Sequence, residues 1–155
     1  MGGGVRASLR MLLVVVAVAT FGTAAPALAA GTADEAKAMV AKAIALYRDV
    51  GAEAFHAINK PDGGFRDRDL YVFVFGPDNR LVAHGADVSL LGQDAMALKD
   101  VDGRPFGRAM VETATAEGTW VDYKWRNPET GKTEAKSSWV VKADGHIFGC
   151  GIYKP

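Results

Sequence analysis

The first part of the chain after an N-terminal apolar run shows helical periodicity. Thr32 with Glu35 three residues later forms a capping-box pattern, which marks a helix start. Gly51 is a helix breaker, and two further turns are predicted after it over residues 52–59. Between the cap and the breaker, apolar residues recur every three or four positions, at Ala36, Met39, Val40, Ala43, Leu46, Tyr47 and Val50. The pattern predicts one long helix with a single buried face.

The next apolar segments switch to the composition and spacing of strands. Residues 70–76, LYVFVFG, are rich in aromatic and β-branched side chains and predict a buried strand. A PDNR turn joins them to residues 81–85, so that the two segments predict a β-hairpin. The preceding residues 60–69 hold proline, glycines and alternating charges, and predict an exposed loop.

The remaining chain predicts a second helix followed by three strands. Residues 104–118 are amphipathic, with Phe106 and Met110 on the inward face and Gly118 as the stop. No strand–helix–strand crossover occurs, so the sheet is predicted to be antiparallel with the helices on one side, an α+β fold. The last three strands, which bring the sheet to five, are predicted over residues 119–125, 136–142 and 146–153.

The N-terminus has the pattern of a secretory signal. Arg6 and Arg10 precede an apolar run over residues 11–21, and small residues in A-x-A order follow at residues 27–29. The apolar run is shorter than the roughly 20 residues that a comfortable membrane span needs. The pattern favours a cleaved signal peptide, and the alternative is an uncleaved N-terminal anchor.

Cleavage after Ala29 or Ala30 divides the chain into a signal peptide of residues 1–30 and one mature domain of residues 31–155, which we expect in the periplasm. The mature part holds sixteen Lys and Arg against eighteen Asp and Glu, a net charge near −2. Such a charge gives no electrostatic reason to expect nucleic acid or an anionic membrane as a partner.

The sequence offers little support for catalysis or metal binding. Cys150 is the sole cysteine, which excludes an intramolecular disulfide, and its IFGCGIY setting predicts a buried, inert thiol. His146 stands four residues earlier on the same strand, roughly 13 Å away, too far for proton transfer to a thiol nucleophile. Residues 100–103, DVDG, lack the twelve-residue pattern of a calcium loop and are expected to cap the second helix. We therefore expect a protein without enzymatic activity, metal or cofactor.

Four motifs follow in order: DLYVFVFGPDNRLVAHG, LLGQDAMALKDVDGRPFGRAMVE, GTWVDYKWRNPETGKTEAKSSWV and GCGIYK. In this order they resemble single Cache domains of the second type, which are PAS-like extracytoplasmic sensor modules of bacterial chemoreceptors and sensor kinases. The resemblance covers about residues 36–154. It implies a long N-terminal helix against a five-stranded antiparallel sheet, with a ligand pocket between the sheet and the MALKDVDGRP segment. One departure is AHG, where receptor members often have HP.

The resemblance also implies a function. Members commonly recognise acetate, propionate, pyruvate or lactate and do no chemistry on them. We therefore expect a periplasmic, non-enzymatic sensor of a C2–C4 carboxylate. Because no second transmembrane helix or signalling domain precedes the last residue, Pro155, the alternative is an interaction module that docks on a membrane receptor or histidine kinase without a metabolite. The long first helix offers a surface for a homodimer.

A small carboxylate needs a cation or several N–H and O–H donors inside a dry pocket. Tyr123 and Trp125 share one face of their strand, either as a pocket wall with two donors or as aromatic core. Lys136 begins KSSWV, which matches the family pattern K-x-S-Y-V, and is favoured as the cation that faces the carboxylate. A structural salt bridge of Lys136 is the alternative.

The other candidates are polar or aromatic positions on the faces predicted to point inward, each of which also fits plain packing. His84 ends its strand, and the resemblance makes it a pocket candidate. The complete set of predicted ligand-binding residues is Tyr71, Phe73, His84, Met110, Tyr123, Trp125, Lys136 and Ser138.

Overall fold

The computed structural model describes residues 1–2 and 29–154. The predicted signal peptide therefore lies almost wholly outside the described residues. Within them, no helix combines the length and the apolar character that crossing a membrane requires.

The N-terminal helix is as long as its periodicity predicts. Helix α1 spans Ala33–Val50, and the capping box is confirmed, because the side chains of Thr32 and Glu35 each accept the other residue's backbone N–H. Gly51 ends α1 with a φ of 62°, a left-handed value that favours glycine. Helix α2, Glu53–Ile58, follows as predicted.

Within the described residues, the antiparallel sheet has six strands rather than the predicted five. The additional strand is β1, two residues long, which lies in the segment predicted to be a loop and pairs with β2. The order is β1-β2-β6-β5-β4, with β3 also paired to β2. The α+β fold is confirmed. The strands are β1 (Arg66–Asp67), β2 (Leu70–Phe75), β3 (Leu81–His84), β4 (Thr119–Arg126), β5 (Thr133–Ala143) and β6 (His146–Tyr153).

The two long helices cover opposite faces of the sheet, so the prediction that they share one side is wrong. Every residue of β2 is buried, which requires cover on both faces. Val72 and Val74 pack in the cluster that contains α1. Phe73 and Phe75 pack in a second cluster with helix α3, Phe106–Thr113.

Helix α3 ends at Thr113, five residues before the predicted stop at Gly118. The chain leaves the helix because Thr115 joins the sheet, where its carbonyl accepts the N–H of Lys142 at 2.8 Å. Gly118 has a φ of 92° and lies under Trp139, where a Cβ atom would come within 2.0 Å of the indole ring. Gly118 therefore serves the turn into β4.

The loop before α3 covers the outer edge of the sheet. The predicted cap at Asp100 is wrong, because Pro105 stands at the N-cap position without a side-chain hydrogen bond. The carboxylate of Asp100 instead accepts backbone N–H groups from Asp102, Arg104 and Lys124, at 2.9 to 3.1 Å. Since Lys124 belongs to β4, these bonds fasten the loop to the edge strand.

Candidate functional site

The sheet face that packs against α3 gathers most of the predicted site residues. Strand pairing places Tyr123 of β4 opposite Lys136 of β5, and Lys136 opposite Tyr153 of β6. Because side chains alternate along a strand, Ser138 shares this face with Lys136. The result is a band of phenol, amine and hydroxyl groups across three neighbouring strands.

A small cavity of about 30 Å³ lies between this face and the chain segment that ends in α3. That volume is enough for one or two water molecules. Six of the eight predicted residues line it, whereas Lys136 and Ser138 do not. The lining residues are Tyr71, Phe73, Phe75, Leu81, His84, Leu90, Gln93, Leu98, Phe106, Met110, Tyr123 and Trp125. Apart from the imidazole of His84, these side chains are apolar or uncharged.

A larger outer cleft of about 410 Å³ adjoins the cavity. The two share four lining residues, Tyr71, His84, Leu90 and Trp125. The outer cleft adds two guanidinium groups, from Arg66 and Arg126, and the carboxylate of Asp87. Neither arginine was predicted as a site residue, because Arg66 lies in a segment interpreted as a solvated loop and Arg126 lies beyond the strand end predicted at residue 125.

His84 is a neutral hydrogen-bond donor toward the cavity. Its Nδ1 accepts the backbone N–H groups of Ala86 and Asp87, at 3.3 and 2.8 Å, which places the ring proton on Nε2. Burial and the nearby Lys136 lower the pKa of His84 to about 4, so the ring is uncharged at neutral pH. Among the described residues, the hydrogen bonds of the ring involve Nδ1 alone, and Nε2 keeps some exposed surface, since no fully buried polar side-chain atom there lacks a partner. The Nε2–H is therefore free for a ligand.

Lys136 is fully buried, and only 1% of its surface is exposed. Its Nζ lies 3.7 Å from the centroid of the Tyr71 ring and donates to the Tyr153 hydroxyl at 3.2 Å. No carboxylate among the described residues comes within 4.0 Å of Nζ, so the predicted alternative of a salt bridge has no acidic partner there. Burial lowers the pKa of Lys136 to about 7.

Two hydroxyl contacts complete the surroundings of this lysine. Tyr153 donates to the backbone carbonyl of Arg126 at 2.7 Å, and its oxygen lies 3.3 Å from the Tyr71 hydroxyl. Ser138 does not line the cavity, and its hydroxyl forms a hydrogen bond of 3.0 Å with the hydroxyl of Tyr123. Tyr153 was not predicted as a site residue, because the alternation of side chains along the last strand does not distinguish it from the other residues on the same face.

The GCG segment has a steric role on this face. A Cβ atom at Gly149 would lie 2.2 Å from the ring of Phe73, and one at Gly151 would lie 2.3 Å from the Cε of Lys136. The two glycines therefore leave room for side chains that cross the sheet. Cys150 between them points to the opposite face, 4.0 Å from the Met39 sulfur, and burial raises the pKa of its thiol to about 12. A thiol held this firmly in the protonated form is a poor nucleophile.

No cluster of three or more His, Cys, Asp or Glu side chains that could hold a metal ion occurs within residues 29–154.

A sheet of this order, with a long helix on one face and a lined cavity on the other, defines a PAS-like sensor domain. The chain belongs to the family described as Single Cache domain 2, whose family model matches residues 14–153. The family membership predicted from the motif order is confirmed. Cache domains are extracytoplasmic sensing modules of chemoreceptors and sensor kinases, and they are not enzymes.

Comparisons with known proteins agree with this family. The chain is 33% identical over 88 residues to the sensor histidine kinase MctS of Rhizobium johnstonii, a match that covers 56% of this chain and 19% of the kinase. The chain thus spans about a fifth of the length of that relative.

Solved structures share the fold. A methyl-accepting chemotaxis protein from Vibrio parahaemolyticus superposes with a TM-score of 0.66 at 17% identity, over 77% of this chain and 86% of that one. A Cache chemosensory domain whose structure was solved to explain carboxylic acid recognition superposes with a TM-score of 0.58 at 22% identity, over 79% of this chain and 88% of that one.

Proposed function

We propose that the domain binds a small organic acid of two to four carbons, and that His84 and Lys136 hold its carboxylate. The observation that carries this proposal is a pair of nitrogen donors that have no carboxylate partner among the described residues. Nε2 of His84 has no hydrogen-bond partner among the described residues, and Nζ of Lys136 has a phenol and two aromatic faces but no carboxylate there. Donors of this kind gain most from a ligand anion, because burial strengthens charge-assisted hydrogen bonds.

The walls of the cavity support a short apolar tail on the ligand. Phe73, Phe106 and Met110 are buried and offer only carbon and sulfur atoms to the cavity. A tail that fills this space gains the free energy of apolar burial, about 0.8 kcal/mol per CH₂ group. The small volume limits the tail to a few carbon atoms, while the outer cleft leaves room for the rest of the ligand.

The comparisons make a carboxylate the first ligand to test. One protein of the same fold is a Cache chemosensory domain that recognises carboxylic acids. For this chain the ligand class is our proposal, supported by its own donors and cavity walls.

The place of the domain in the cell is part of the same proposal. We propose that the chain is exported to the periplasm with cleavage after Ala29 or Ala30, and that ligand binding is reported to a membrane receptor or histidine kinase. The sensor kinase relative supports a partner of this type. The exposed face of α1 is the proposed surface for pairing with a second copy.

The test is calorimetry and thermal shift of the purified protein with acetate, propionate, butyrate, pyruvate and lactate. Propionamide and propanol serve as controls, since they match the shape of propionate but carry no charge. We expect stabilisation by at least one acid and by neither control. A folded protein that none of the acids stabilises would contradict the proposal, and co-purification with a membrane receptor would then test the docking alternative.

A further inference from the structure

The ε-amino group of Lys136 is buried without an anionic partner, and the proposed site does not by itself explain which charge state it has in the free protein. An ammonium group in a protein interior is costly unless it is paired with an anion. Here Nζ has one hydrogen bond, to the Tyr153 hydroxyl, and lies over two aromatic rings, 3.7 Å from the centroid of Tyr71 and 4.5 Å from that of Tyr153. The described residues supply no carboxylate within salt-bridge distance of it. The free protein therefore disfavours the charged form of this amine, whereas a bound carboxylate would favour it.

The groups around Nζ come from four strands. Tyr123 faces it from β4, Tyr153 from β6, Tyr71 from β2, and His84 from β3. Cys150 of β6 lies on the opposite face of the sheet and acts on Lys136 only through space. Asp69, just before β2, acts on Lys136 through space, but its carboxylate already accepts the N–H of Gly31 at 2.7 Å.

These neighbours keep a constant charge around neutral pH. Burial raises the pKa values of Tyr71, Tyr123 and Tyr153 above the ordinary tyrosine value, and it raises that of the Cys150 thiol to about 12. Burial and the nearby amine lower the pKa of His84 to about 4. Lys136 is thus the group of this cluster whose charge changes near neutrality.

We propose that above neutral pH the domain takes up one proton with each carboxylate it binds, and that this proton converts the amine of Lys136 to the ammonium that pairs with the ligand. The inference rests on the proposed function and adds a regulation to it. In this binding step, a carboxylate anion, a proton from solvent and the neutral amine of Lys136 combine to give a carboxylate–ammonium pair. The domain therefore responds to the product of carboxylate and proton concentrations, which is proportional to the concentration of the undissociated acid.

The dependence of affinity on pH has a definite sign. Lys136 of the free protein, with a pKa of about 7, already carries the proton below that pH, so binding there needs no proton uptake. Above it, the amine of the free protein is neutral while that of the complex is charged, and the apparent affinity falls about tenfold for each pH unit. A lysine with only a packing role would bring no proton uptake.

The test is calorimetry of propionate binding at about pH 8, in a phosphate buffer and in a Tris buffer, whose ionisation enthalpies differ. We expect the difference in binding heat to report uptake of nearly one proton. Lys136→Met should lose both the uptake and at least tenfold in affinity, whereas Lys142→Met, an exposed lysine of the same strand, should keep both. Binding by the wild-type protein without proton uptake would overturn this inference and leave the proposed function standing. If none of the panel acids bound, the proposed function and this inference would fail together.

A measurement without ligand tests the free state. In protein labelled with ¹³C at the lysine Cε atoms, the signal that disappears in Lys136→Met should titrate near neutral pH. A Lys136 signal that titrates at the ordinary lysine value of about 10.4 would overturn the inference, whatever the calorimetry gives.

Discussion

The side chain of Lys136 crosses the neighbouring strand directly over Gly151. A Cβ atom at Gly151 would lie 2.3 Å from the Cε of Lys136, which no packed structure tolerates. The glycine thus opens the path by which the amine of β5 reaches the aromatic face of Tyr71 on β2. The position of the buried amine of Lys136 therefore depends on a residue without a side chain.

Gly151→Ala should destabilise the protein and displace Lys136. We expect the free energy of unfolding to fall by about 1–3 kcal/mol, the usual cost of overpacking. Urea denaturation measures it. In a double-mutant cycle with Lys136→Ala, the cost should shrink but not vanish. The contact with the Lys136 Cε is then gone, while Ser138 Oγ, which also lies 2.3 Å from the Cβ position, remains. If Gly151→Ala cost as much in the Lys136→Ala protein as in the wild type, the added Cβ atom would not collide with Lys136.

Lys136→Met should change how stability depends on pH. The pKa of Lys136 is about 7 in the folded protein and ordinary in the unfolded chain, so between these values the unfolded chain binds more protons. Stability of the wild-type protein should then rise with pH, by up to about 1.4 kcal/mol per unit from pH 7 to about 10. The methionine variant should lack this contribution, and Lys142→Met should retain it. Parallel stability curves of Lys136→Met and the wild type would contradict a buried, unpaired amine.

His84→Asn should weaken ligand binding while keeping the fold. Asparagine retains an acceptor where Nδ1 receives the N–H groups of Ala86 and Asp87, but it lacks the Nε2–H. Losing one hydrogen bond to a charged group costs roughly 1.5–3 kcal/mol, which is at least tenfold in affinity. Propionate calorimetry measures it. His84→Phe, which also removes the acceptor, should lose stability as well, and equal stability of the two variants would contradict the loop role of Nδ1.

Arg126→Gln should weaken binding modestly and in a salt-dependent way. Its guanidinium lines the outer cleft, where it attracts an anion without being buried. We expect a loss of roughly severalfold in affinity at low salt, which disappears at high salt. Arg48→Gln is the matched control. Arg48 does not line the cleft, and its Nε forms an ion pair with the Asp144 carboxylate at 2.8 Å. A large loss that persists at high salt would instead make Arg126 the main carboxylate ligand.

Part of this site is predictable from the sequence because alternation along a strand is a local property. Residue spacing alone places Tyr123 and Trp125 on one face, and the structure puts both in the cavity wall. Alternation also places Tyr71 and Phe73 together on β2. The α+β fold follows from the same periodicities and the absence of crossovers.

The rest depends on long-range packing that no local pattern encodes. The early end of α3 results from Thr115 joining β5, and the cover on both faces of β2 results from two separate clusters. Arg126 reaches the cleft because β4 continues one residue beyond its predicted end. The roles of Gly149 and Gly151 are visible only once Phe73 and Lys136 are seen to cross them.

A crystal structure of the protein with propionate would show whether His84 and Lys136 hold the carboxylate. We expect the carboxylate within hydrogen-bond distance of Nζ of Lys136 and Nε2 of His84, with the ethyl group against Phe73 and Met110. Reaching Nζ requires the Tyr71 ring, which now lies 3.7 Å from it, to shift. An unoccupied cavity at saturating propionate, or a carboxylate held only by Arg66 and Arg126 in the outer cleft, would contradict this expectation.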